Sequence, residues 1–295
     1  MEPTSLVLLL IAAFLHAAVN ALVKAARDKL AFTWWLLGAS SLLGAPLLLL
    51  GAWPSDMEGW TLVVVSGVLE SVYFVALSRA YSYGDLSQVY PLARGSAPLF
   101  IVAWADIFLH ERPSAAGFLG IMTVVVGLYL INLPSLGYWK QPLAGFRNRA
   151  ARWALLTGVL ISAYATVDKV GVRHVEPAPY VVLILLVAWL VLALQWLSTD
   201  RRRTLMEEVR AGKTVSATRA RVCILFGAVF GTAAYLSVLL ALRLSPVGYI
   251  GAVREVSVVI GAWMGVRLFG ERGGLVRIVA SVLVVIGILL ITVAG

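Results

Sequence analysis

A single cysteine, Cys223, is all the thiol in this 295-residue chain. An internal disulfide is therefore excluded, and so is a cysteine-ligated metal cluster. Charge is scarce as well. Asp, Glu, Lys and Arg make up 13% of the residues, against about a quarter in soluble domains. Acidic residues are the scarcer sign, 15 against 24 Lys and Arg. The signatures of hydrolytic and redox centres are missing too, with no HExxH, CxxC or GxSxG anywhere. Glu70 with His16 is the one acid–base pair that can be proposed, and nothing in the sequence places them together. No catalytic residue, metal or cofactor is expected.

What is present is apolar: 61% of the chain, in blocks of about 20 residues, the length that crosses a hydrocarbon layer as a helix. An all-α integral membrane protein follows, with ten spans at about 5–25, 31–52, 60–80, 86–109, 113–133, 151–172, 178–197, 220–242, 246–269 and 273–294. The first apolar stretch lacks a basic leader and runs on into polar helix positions, so it reads as a spanning helix and not a cleaved signal peptide. A polar linker, 134–150, separates 1–133 from 151–295 as two expected five-helix units. A charged loop, 198–219, lies inside the second. The net charge of +9 sits mostly in loops, so no nucleic-acid partner is expected. Connections after spans 1, 3, 5, 7 and 9 carry seventeen Lys and Arg, and the opposite side only Arg112, Arg173 and Arg243. The positive-inside rule then puts the basic loops in the cytoplasm and both termini outside, with a bacterial cytoplasmic (inner) membrane the expected location.

The chain repeats itself. At an offset of 160 residues, Arg94 falls on Arg254, Glu111–Arg112 on Glu271–Arg272, and Val124, Gly127 and Ile131 on Val284, Gly287 and Ile291. An offset of 145 lays Lys24 on Lys169. Five spans per unit is odd, so the second unit enters from the opposite side, giving two inverted repeats. Transporters built this way carry substrate sites near the midplane at the repeat interface.

Ten spans, a Glu-Arg turn closing the fourth and ninth, glycine-bearing fifth and tenth spans, "LHAAVNALVK" (15–24) and "YATVDKVGVR" (164–173) together resemble EamA-type members of the drug/metabolite transporter superfamily. The resemblance implies secondary transport of a small metabolite, often an amino acid, through a central cavity. The superfamily's small multidrug members resemble a half-sized version with a glutamate in the first span. No acidic residue occurs between Ser5 and Ala25 here, which argues against that proton–drug exchange route.

A charge at the centre of a span costs about 2.5–3.5 kcal/mol on insertion scales and marks a site or a partner. Arg94 and Arg254 each lie eight residues into their spans, about 12 Å deep from opposite faces, so both fall near the midplane. Guanidiniums there suit a carboxylate or phosphate; Glu70 and Glu255 are the alternative partners. Pro91, Gly95 and Pro98 predict an opened helix beside Arg94, because the prolines lack an N–H. His16, Asn20 and Lys24 share one face of span 1, and His16 is a candidate proton carrier. Tyr90 and Tyr73 are the aromatics singled out for a pocket. Asp168 and Lys169, close to a span end, are expected to snorkel to the headgroups. Gly227–Gly231 and Gly261–Gly265 read as packing motifs.

The expected activity is alternating-access transport of a small anionic or zwitterionic metabolite, an amino acid by preference. Phosphorylated or phosphonate solutes are the alternative cargo, and a membrane enzyme acting on lipid-linked substrates is the reading from another class. The expected partners are a small-molecule substrate and the lipid bilayer, with coupling protons and a second copy of the chain as further candidates.

Overall fold

The computed structural model describes residues 1–26, 28–83, 86–131, 133, 137, 139, 148–196, 205–206, 217–260, 263 and 275–294. Lys24, 86–88, Tyr90, Pro91, Ala217 and Ala294 are described by backbone alone. Most of the linker 134–150 and of the loop 198–219, the stretch 261–265 apart from Trp263, and Glu271–Arg272 lie outside the described residues.

The first half comprises α1 (Pro3–Ala25), α2 (Lys29–Gly44, continued as a 3-10 turn over Ala45–Leu49), α3 (Met57–Tyr83), α4 (Leu86–Trp104, widening to a π-helix over Ala105–Leu109) and α5 (Ala115–Leu130). The second comprises α6 (Arg149–His174), α7 (Pro177–Ala193), α8 (Ala217–Leu244), α9 (Val247–Arg254) and α10 (Leu275–Ala294). Helix starts follow local chemistry. The side chains of Asp28, Ser114 and Asn148 accept the N–H groups of Ala31, Gly117 and Ala151 at 2.9, 3.0 and 2.8 Å, satisfying donors that a helix leaves orphaned. Pro177 opens α7, where its missing N–H does no harm.

Eight of the described helices are long and apolar enough to span a bilayer, and α5 is a shorter apolar helix. The ninth span differs from expectation. Its helix stops at Arg254, makes a turn at Glu255 and resumes over 256–260. α4, by contrast, stays helical through Pro91, Gly95 and Pro98. Each proline forfeits one backbone bond, which a long helix absorbs when a neighbour covers it. Here Gly158 of α6 lets that helix lie on α4: a Cβ at 158 would meet the Ala93 carbonyl at 2.9 Å.

The polarity is that of a protein dissolved in lipid. Val7, Phe14, Leu49, Phe108, Leu119 and Phe226 point outward, while Ser66, Glu70, Asp168, Arg254 and Glu255 are buried. The packing shows the inverted repeat directly. α3 lies along α6 and its counterpart α8 along α1; α3 meets α7 and α8 meets α2; α5 packs on α10. At this crossing Val124 and Val284, a counterpart pair, are both fully buried. A Cβ at Gly120 would meet the Gly287 carbonyl at 2.7 Å, and one at Gly127 the Ala280 carbonyl at 2.8 Å. Those two contacts interchange under the 160-residue offset.

Candidate substrate cavity

Between the halves lies a cavity of about 180 Å³. None of the described residues of α5 and α10 lines it. Its deep end is formed by His16, Glu70, Tyr73, Arg94, Tyr164, Tyr235, Arg254 and Ser257; Lys29, Ser78 and Tyr81 line it toward the ends of α1 and α3 and the start of α2. A second hollow at Asp28, Arg79, Ser82 and Gln195 continues at that face.

The opposite face is tied shut. Glu111, in the turn after α4, accepts the first N–H of α9, from Val247, at 2.9 Å. Its other oxygen lies 3.6 Å from both Lys169 Nζ and Arg173 Nη2. Arg243 donates to the Val172 carbonyl and to Glu176, each at 2.9 Å. Ser245 Oγ joins Ser5 Oγ at 3.0 Å. Arg112, the other half of the Glu-Arg turn, pairs at the surface with Asp106.

The two repeat-related arginines reach the same cavity with different partners. Arg94 Nη1 is 3.1 Å from Glu255 Oε1, a salt bridge across the repeat interface to a carboxylate 1% exposed. Among the described residues the pairing found is neither Glu70 with Arg94 nor Glu255 with Arg254. Position 95 is Gly where its counterpart 255 is Glu, so the repeat breaks beside the arginine and leaves the acid in one half only. Arg254 has a Tyr164 hydroxyl at 3.4 Å from Nη2, and its guanidinium lies 5.8 Å from that ring's centroid. Its Nε is buried without a hydrogen-bond partner among the described residues, as are Glu70 Oε2 and Glu255 Oε2. Buried polar groups are rarely left this way. Tyr73 packs edge-on against Tyr164 at 5.9 Å, completing an aromatic wall.

Of the side chains singled out in the sequence, His16, Asn20, Glu70, Tyr73, Arg94 and Arg254 meet in this cavity. Glu255 stands behind its wall, holding Arg94. The Tyr90 side chain lies outside the described residues. His16 Nδ1 is 3.0 Å from the Ala12 carbonyl. Tyr164, Tyr235, Thr33 and Ser40 were not anticipated; the signal available was a hydroxyl within an otherwise apolar span.

The snorkelling expected of Asp168 and Lys169 does not occur. Lys169 donates to the carbonyls of Leu242 and Ser245 at 2.7 and 2.9 Å, where the end of α8 presents unsatisfied oxygens and negative dipole. Asp168, 1% exposed, accepts from Ser66, Tyr180 and Tyr235. The end of α6 is covered by α8, so closeness to a span end does not give access to headgroups.

Two inverted five-helix repeats around a charged central cavity are the architecture of secondary transporters. This chain belongs to the EamA-like transporter family, whose model matches residues 3–133 and 148–293, and is thereby an integral membrane transporter of the drug/metabolite superfamily. A solved protein crystal structure aligns over 99% of this chain and 97% of its own length, at a TM-score of 0.74 and 17% identity, a likeness of fold. No curated protein matches the chain.

Proposed function

We propose that the chain carries a small zwitterionic or anionic metabolite, an amino acid by preference, by alternating access. One observation supports this most. A guanidinium nitrogen and a carboxyl oxygen, Arg254 Nε and Glu70 Oε2, lack hydrogen-bond partners among the described residues of one buried cavity. A solute with carboxylate and ammonium on one carbon would satisfy both, the guanidinium taking the carboxylate. The aromatic wall of Tyr73 and Tyr164 would face its side chain. A phosphorylated or phosphonate solute is the second reading, favoured by Lys29 at the mouth together with the two arginines. Glu255 already neutralises Arg94, however, which leaves one unpaired guanidinium for a dianion.

On this reading the 1–133 and 151–295 units rock about the linker 134–150, and the solute leaves unaltered. With the basic loops in the cytoplasm and both termini outside a bacterial cytoplasmic membrane, the cavity extends inward and the Glu111 ties close the outside.

Counterflow in proteoliposomes tests the cargo: amino acids compete for exchange and sugar phosphates or phosphonates do not. The reverse pattern selects the second reading, and competition by neither class removes both. Arg254→Ala, with folding intact, weakens the competing amino acid at least about 30-fold, the loss for an unpaired buried charge contact of about 2 kcal/mol.

A further inference from the structure

We propose that Asp168 is a proton-binding site, wired to the cavity by the Tyr235 hydroxyl, through which a proton accompanies the cargo. The coupling half of this proposal rests on the transport reading; the site itself does not.

Asp168 lies deep in α6 with its carboxyl group surrounded by hydroxyls. Oδ1 is 2.5 Å from Ser66 Oγ of α3 and 3.2 Å from the Tyr180 hydroxyl of α7; Oδ2 is 2.6 Å from the Tyr235 hydroxyl of α8. The other charged or titratable groups that act on it or on this shell are Glu70 of α3, Tyr164 of α6 and Arg254 of α9. Lys169, its neighbour in sequence, is turned away onto the end of α8 and Glu111. No salt bridge reaches Asp168 among the described residues.

This shell is built for a proton and not for a metal ion. A cation site needs oxygen lone pairs directed inward, commonly carbonyls. Here every hydrogen-bond partner among the described residues is a hydroxyl, which is donor and acceptor at once and can rotate. The three hydroxyls donate to the ionised carboxylate. When the carboxyl is protonated, one turns to accept from it, and no heavy atom need move. Among the described residues no cluster of three metal-ligating side chains exists either.

Tyr235 connects the site to the cavity, because its side chain lines the chamber that holds Glu70 and Arg254. Transfer balances simply. A proton from cavity water or from the Glu70 carboxylic acid reaches the Tyr235 oxygen as Tyr235 passes its own to Asp168 Oδ2. Tyr235 ends neutral, and the carboxylate becomes an acid. A cargo carboxylate seated on Arg254 takes up positive charge that otherwise faces Asp168, so cargo and proton enter together, and the linkage is reciprocal. The shell also joins the halves: Ser66 belongs to the first, and Asp168, Tyr180 and Tyr235 to the second.

Infrared difference spectroscopy of the purified full chain, titrated with acid in detergent, tests the site without any cargo. Glu70→Gln removes the other acid of the chamber, and in that background the carbonyl stretch of a protonated buried carboxylic acid is expected to titrate and to vanish when Asp168→Asn is added. Tyr235→Phe, which preserves the charge and most of the volume, should keep the band and shift its frequency. A Glu70→Gln band left unchanged by adding Asp168→Asn overturns the proposal. So does a band unmoved in Tyr235→Phe, or one displaced by sodium at constant pH.

The coupling is read in proteoliposomes with a mixture of radiolabelled L-amino acids. Asp168→Asn should keep counterflow, in which no net proton moves, and lose accumulation driven by an imposed pH gradient. Accumulation equal to the wild type overturns the coupling. If the wild type exchanges no amino acid, the proposed cargo fails while the infrared band still decides on Asp168.

Discussion

At the scale of single residues, the difference between Gly95 and Glu255 governs the cavity. Arg94 is held by an acid from the other half; Arg254, its counterpart, has among the described residues a tyrosine hydroxyl and ring. Their replacement should therefore fail differently. Arg94→Ala strands Glu255 as a buried charge, a loss of about 3–5 kcal/mol for one member of a buried pair, and lowers the melting temperature of the detergent-solubilised protein. Arg94→Met with Glu255→Gln should recover most of that. Arg254→Ala should melt near the wild type and lose cargo competition instead. Equal destabilisation by both single changes would refute this division of roles. The arginines were legible in the sequence because a charge in an apolar span, recurring at a fixed offset, is improbable without purpose. The partner was not, since Glu255 meets Arg94 only where the two halves cross. Asp168 was misread for a related reason: distance along a helix measures depth only if the helix end is exposed.

At the scale of elements, the crossing of α5 and α10 depends on absent side chains. Gly120 faces the Gly287 backbone and Gly127 that of Ala280. Gly120→Ala places a methyl against a carbonyl that cannot swing aside, and overpacking of this kind costs about 1–3 kcal/mol. A thermal melt unchanged by Gly120→Ala would mean that the helices part freely. The Glu111 tie makes a second test. Glu111→Ala frees the first N–H of α9 and two cations of α6 together, so it should lower thermal stability; Arg112→Ala, one residue away and paired only at the surface, should not. Helix number, the repeat and the charged positions could all be read from composition and spacing. The turn at Glu255 could not, since proline marks α4, which stays helical, and no proline or glycine adjoins Glu255 in α9.

At the scale of the whole molecule, the seventeen-to-three basic asymmetry makes a topological prediction. Replacing the single Cys223 by Ser gives a thiol-free chain. In that background Ser216→Cys should be labelled by a membrane-impermeant maleimide only in inside-out vesicles, and Glu2→Cys only in intact spheroplasts. The opposite pattern would reverse which face of the structure is sealed to the exterior.

The α5–α10 crossing also bears on origins. A contact repeated with its partners exchanged is what an isologous interface between identical subunits produces, and Gly127 on Val284 together with Gly287 on Val124 has that form. The interface is one that two copies of a single five-helix chain, inserted in opposite directions, could have made before a linker joined them. Such an ancestor would have needed no preferred orientation. In a fused chain, basic loops gathered on one side set the orientation, and the two halves are free to diverge. Glu255 stands where the first half keeps Gly95, so the innermost charge pair is asymmetric in a structure whose outer scaffold is not.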